Sequence, residues 1–160
     1  MSLVQTVDIQ APLGGVFLAA ADVARWPEFM PHIRYNRYLS HHPGGGTIRT
    51  AATRAGVVLH GVAEVAIDPV LQELRFTHTS STAGAGTGMT VTWGFKELPD
   101  GDTRVTVTHT FSGGAEVRAG VVGRGLRKLF YAEDITALSL QCLKRRVEMQ
   151  QLSPGASRWI

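Results

Sequence analysis

Between Ile33 and Ser112 apolar and polar residues alternate with a period near two, and beyond Gly114 the apolar spacing becomes helical. A shorter alternation comes first. Leu3, Val7 and Ile9 set against Val4, Thr6 and Asp8 predict a strand over 4–10, ended by Ala11 and Pro12. Pro12 suits a first helical turn, and Val16, Phe17 and Ala20 give that helix an apolar face. Asp22 is placed to cap a second short helix that begins at Val23 and ends at Pro27 and Pro31. Strands are then predicted over 33–40, 47–55, 57–67, 71–79, 89–98 and 104–112. Their connections carry turn chemistry: the glycine-rich "HHPGGG", Gly56, Asp68 with Pro69, and the hairpin signal "PDGD". The stretch "SSTAGAGTG", 80–88, reads as a mobile loop. The last element predicted is a long helix over 126–151, its start weakened by Gly120, Gly123 and Gly125.

The order is therefore one strand, two short helices, six strands and one long helix, with no repeat and no linker. It predicts a single α+β domain over 1–160. Consecutive hairpins build an antiparallel sheet, and a lone amphipathic helix needs an apolar surface to cover, so a curved seven-stranded sheet wrapped around the C-terminal helix is the economical arrangement. A space is left between them.

Alternation then says which side chains face that space. In "MTVTWGFKEL" they are Met89, Val91, Trp93 and Phe95, and in "RVTVTHTF" they are Val105, Val107, His109 and Phe111. Leu74, Phe76 and His78 form the inward row of the strand before them, and Ile48, Thr50, Ala52 and Arg54 share a face of an earlier strand. On the long helix Leu126, Leu129, Phe130, Ala137, Leu140 and Val147 make one stripe, with Glu133 near its centre. Tyr131, Ile135, Leu138, Cys142 and Met149 make a second stripe, suited to the N-terminal helices or to a second subunit in a homodimer.

Composition narrows the function classes. With 160 residues, 44% hydrophobic and 18% charged, the chain is globular, and no apolar run reaches the roughly 18 residues that cross a bilayer. "MSLVQTVDIQ" has neither a basic region nor a long apolar one, so a cytoplasmic location is expected. The net charge of +3 comes without a basic stripe interleaved with aromatics, which argues against nucleic-acid binding. Cys142 is alone, and the six histidines lack metal-ligand spacing, so neither a thiolate cage nor any metal or cofactor is expected.

Several stretches together resemble the polyketide cyclase/dehydrase branch of the START-like (SRPBCC) superfamily. They are Ala11-Pro12, Val16-Phe17, "DVARWPEFMPHIRYNRYL" from Asp22 to Leu39, "GMTVTWGF" and "DTRVTVTHTF". Asp22, Val23, Pro27, Glu28, Phe29 and Pro31 are also similar to the signature of coenzyme Q-binding proteins. The resemblance implies a helix-grip fold with a deep cavity, in which aromatase/cyclase members fold and dehydrate a linear poly-β-ketone. It implies that Trp26 and Pro27 close one end of that cavity, where Trp26 and Phe29 supply large apolar area. It also implies that a cavity arginine and tyrosine orient the ketide, positions that Arg54 and Tyr35 match by strand.

The residues themselves leave three readings open. His78 and His109 have the chemistry to exchange protons, Arg54 to stabilise an enolate, and Glu133 to accept a proton, which together would serve aldol cyclisation and dehydration. Each also has a plainer reading as a buried polar group satisfied by a neighbour. A carrier of a lipid, isoprenoid or quinone would need only the apolar walls, namely Trp26, Phe29, Tyr35, Phe76, Met89, Val91, Trp93, Phe95, Phe111 and Phe130. An interaction protein would need only the second helix stripe.

Overall fold

The computed structural model describes residues 2–111, 120–125 and 133–152. Its elements run β1 (Ser2–Ile9), α1 (Leu13–Ala21), a 3-10 helix (Val23–Glu28), β2 (Ile33–His42), β3 (Gly45–Arg54), β4 (Val57–Asp68) and β5 (Glu73–Ser81). After β6 (Met89–Glu97) and β7 (Thr103–Phe111) come a helical stretch, α2, over 120–125 and the long helix α3 (Glu133–Leu152). The seven strands form one antiparallel sheet in the order β1-β7-β6-β5-β4-β3-β2. β2 to β7 are a meander, and the N-terminal strand closes the far edge by pairing Val7 with Val105 and Leu3 with His109.

Alternation sorted the faces of the central strands correctly. Met89, Val91, Trp93 and Phe95 are all buried, as are Leu74 and Phe76 on β5 and Val105, Val107 and His109 on β7. α3 contributes Leu140, Leu143 and Val147 to the same core. It is tied to the β1 end by Lys144 Nζ donating to the Asp8 carbonyl at 2.8 Å and by the Gln10 amide donating to Glu148 at 2.7 Å. α1 buries Val16, Phe17 and Ala20, the face predicted for it. No helix among the described residues is long and apolar enough to cross a membrane.

Local geometry departs from expectation in four places. Asp22 makes no side-chain cap, and the helix after it is a 3-10 helix with Pro27 inside. "HHPGGG" is not a six-residue loop. His41 and His42 extend β2, Pro43 and Gly44 turn, and β3 resumes at Gly45 because Gly45 and Gly46 take φ of +125° and +145°. "SSTAGAGTG" folds back rather than waving free: Ser80 and Ser81 continue β5, the Gly88 amide bonds the His78 carbonyl at 3.0 Å, and Ala85 is fully buried. On α3 the buried stripe is Thr136, Leu140, Leu143 and Val147, at the 4-3-4 spacing of a helix face. Of the second stripe, Leu138 and Met149 are exposed and Cys142 is half-buried, while Tyr131 lies outside the described residues.

Candidate functional site

The sheet and α3 do not fill the room between them. A cavity of about 130 Å3 remains, bounded by Trp26, Phe76, Val91 and Trp93 on one side and by Ile135, Thr136 and Ser139 of α3 on another. Its aromatic end is built by contact: the Trp26 ring lies 5.1 Å from Trp93 and 5.4 Å from Phe76, centroid to centroid. The Trp26 indole N–H donates to the Ala20 carbonyl at 2.9 Å. That bond locks the ring as a wall at the end of the 3-10 helix and removes its donor from ligand chemistry.

Polar groups enter the cavity from β2, β3, β5 and β7 and from the helix. Asn36, on β2, donates to the Val23 carbonyl at 3.0 Å and accepts the Thr50 hydroxyl at 2.7 Å, so amide and hydroxyl are tied to each other and to the 3-10 helix. His32, just ahead of β2, meets the Ser139 hydroxyl of α3 at 2.7 Å, and Ser139 also donates to the Ile135 carbonyl. His78 and His109 line the cavity from β5 and β7. Burial pushes both down to about 4, and for His78 the neighbouring His109 adds to the effect. His32 is lowered as well, by burial first and the Arg54 charge second. Three uncharged imidazoles therefore line one apolar space at neutral pH.

A family model described as polyketide cyclase/dehydrase and lipid transport matches residues 1–148. The chain belongs to this family. The granaticin polyketide synthase bifunctional cyclase/dehydratase of Streptomyces violaceoruber is 28% identical over 107 residues, which is 67% of this chain and 33% of that one. The chain thus spans about a third of the length of the curated relative it matches. Among solved structures, Zhui aromatase/cyclase from Streptomyces sp. R1128 superposes with a TM-score of 0.80 at 20% identity, over 97% of this chain and 98% of that one. A START superfamily protein from Mycobacterium smegmatis gives 0.70 at 16% identity, over 92% and 97%. Both show the helix-grip fold.

Within this polyketide cyclase/dehydrase-family domain, Trp26, Phe76, His78, Val91, Trp93 and His109 stand on the cavity wall, where the sequence placed them. Others do not line it. Met89 is fully buried in the core, Phe95 packs edge-on against Phe17 at 5.3 Å, Phe111 is half-buried against the core, and Phe29 lies under the Arg146 guanidinium. Arg54 ends β3 outside the cavity lining, while Ile48, Thr50 and Ala52 of the same row line it. Phe130 and the Glu133 side chain lie outside the described residues.

Tyr35 is displaced by a bulge. The β2–β3 register shifts between Ile33 and Tyr35, so the odd-numbered Ile33 and the even-numbered Asn36 both face inward, and Tyr35 turns to the outer face to bond His60 at 3.0 Å. Ile135, assigned above to the second helix stripe, also faces the cavity. Asn36, His32 and Ser139 were missed. An asparagine inside "RYNRYL" is a poor strand former, and that was the available signal for Asn36. Nothing local marks the His32–Ser139 pair, which tertiary packing creates across 107 positions.

Proposed function

We propose that the cavity receives one ring's worth of a poly-β-ketone and promotes its closure and dehydration. The observation that carries this reading is the convergence of uncharged His32, His78 and His109 on a small, otherwise largely apolar space in a chain of this family. About 130 Å3 is close to the roughly 150 Å3 of an apolar cavity known to take up benzene, so the space suits a single six-membered ring. In the proposed reaction His109, neutral at working pH, takes a proton from a carbon between two carbonyls. The resulting enolate carbon bonds to a distal carbonyl carbon, and the proton passes to the oxygen, giving a hydroxyl. A second α-proton and that hydroxyl then leave together as water, and the electron pair of the broken C–H bond becomes a carbon–carbon double bond. A histidine whose pKa is held near 4 becomes a strong acid once it has taken a proton, which favours the return step. Arg54 and Glu133 have no part in this scheme.

The test is turnover of a short β-polyketo thioester followed by chromatography and mass spectrometry. His109→Ala should abolish the cyclised, dehydrated product by about two orders of magnitude or more while leaving ligand affinity in place. An unchanged product distribution would sink the catalytic role.

The apolar walls, together with the lipid-transport half of the family's description, favour a second reading as a carrier of a hydrophobic molecule. Native mass spectrometry of gently purified protein should then reveal a bound lipid or quinone, and a clean apo mass would count against it.

A further inference from the structure

The outer face of the sheet carries a second recess of about 400 Å3, walled by Tyr35, Arg49, His60, Gly61, Ser80 and Thr82 among others. One cross-strand row runs along it. Arg37 on β2 stands opposite Arg49 on β3, Arg49 opposite Val62 on β4, and Val62 opposite Ser80 on β5. Like charges set directly across an antiparallel pair work against folding. Here both guanidinium groups are on exposed residues, and neither makes an ion pair among the described residues. The acid carried nearby on the same face of β4, Glu64, has both oxygens bonded by the Thr47 hydroxyl at 2.9 and 3.0 Å.

The arrangement is also braced. Arg37 lies over the Tyr35 ring at 4.4 Å, and the Tyr35 hydroxyl is bonded to His60 Nδ1 at 3.0 Å across the fully buried Ala51. A cation stacked on a ring that is itself tethered loses less freedom when it binds. Ser80 adds a hydroxyl at the end of the row, on the far side of Val62.

We infer that this recess binds the phosphate of a small phosphomonoester whose organic part is flat. Two guanidinium groups carried on directly paired residues, Arg49 in the wall and Arg37 beside it on Tyr35, suit an acceptor with three free oxygens, since a single fork already engages both oxygens of a carboxylate. Tyr35 and His60 offer aromatic walls for a ring beside it, at a tilt of 41° and 6.2 Å between centroids. Nothing in the inference depends on what fills the inner cavity, although His60 and Gly61 wall both spaces.

The experiment is a heteronuclear NMR titration of the labelled protein with phenyl phosphate, inorganic phosphate, benzoate and phenol. Phenyl phosphate should shift the amides of Gly61, Ser80, Ser81 and Thr82 and the side-chain N–H signals of Arg37 and Arg49. Phenol should leave those signals in place. Arg37→Gln and Arg49→Gln should each weaken the interaction by about tenfold, and the double variant should abolish it. Both sites are exposed, so the variants keep the fold, and a matching amide spectrum away from the recess verifies this. Shifts that lie elsewhere, or that survive the double variant, overturn the site. Benzoate binding as tightly as phenyl phosphate overturns the choice of phosphate, and inorganic phosphate binding more tightly than the ester overturns the organic part.

Discussion

His109 shows how one position can matter to folding and to chemistry at once. Its ring is buried on β7 opposite Val91, and burial lowers its pKa from an ordinary 6.5 to about 4. In the unfolded chain the same ring takes up a proton once the pH falls through about 6.5, while the native ring stays neutral to about 4, so the unfolded state binds more protons across that window. The stability tied to the neutral ring is thus complete above about pH 6.5 and is lost as the pH drops toward 4. For His109 the loss is on the order of 3 kcal/mol, and His78 steepens the slope because it is lowered to about 4 too. Urea denaturation across this range should show stability falling on acidification, and His109→Gln should flatten the curve. A wild-type curve already flat between those limits would mean the ring is solvated, and the proposed proton transfer would lose its setting. That His109 sits in an apolar row was legible from alternation alone. Its companion His32 was not, because its partner Ser139 comes from α3, and no periodicity relates the two.

At the scale of elements, the hairpin of β2 and β3 marks where sequence reading was strong and where it stopped. The six strands of the meander, the seventh at the edge and the buried face of α1 all follow from period and turn residues. What period cannot supply is parity across a bulge. One extra residue near Arg34 sends Asn36 inward and Tyr35 outward, reversing the face that strand-by-strand matching assigned. The glycines after the turn were read as part of the loop, yet Gly45 and Gly46 lie in β3 and serve close packing. A Cβ added at Gly46 would sit 2.1 Å from the Ser40 carbonyl oxygen on β2, with φ at +145°. At Gly101 of the β6–β7 turn φ is +90° and nothing lies within 4 Å. Gly46→Ala should therefore cost the conformational penalty plus a backbone clash, about 3 kcal/mol or more, whereas Gly101→Ala should cost only about 1 kcal/mol. Equal losses in thermal or urea denaturation would show that β2 and β3 do not approach as closely as their register requires.

At the scale of the whole molecule, the question is whether the void between sheet and helix is a site or a packing fault. A domain of this size folds well without a hole, and an apolar void forfeits dispersion contacts along its lining. Here the lining is also hydrogen-bonded: Asn36 to Val23 and Thr50, His32 to Ser139, and Trp26 to Ala20, each holding a wall that the empty space would otherwise let collapse. Val91 separates these two possibilities. It lies on the cavity wall between Phe76 on β5 and His109 on β7, so a larger side chain there extends into the void. In Val91→Phe the added ring fills space that the wild type leaves open, so the melting temperature should hold or rise. If the interior were already full, overpacking would cost about 1–3 kcal/mol, or several degrees for a domain of this length. Resorcinol, a single ring with two hydroxyls, supplies the second readout. At about a hundred times its dissociation constant a bound ligand stabilises by about 2.7 kcal/mol, so wild-type protein should melt higher with it, and Val91→Phe should not respond. A variant that is less stable alone and still responds to resorcinol would place the ligand elsewhere and leave the void without a purpose.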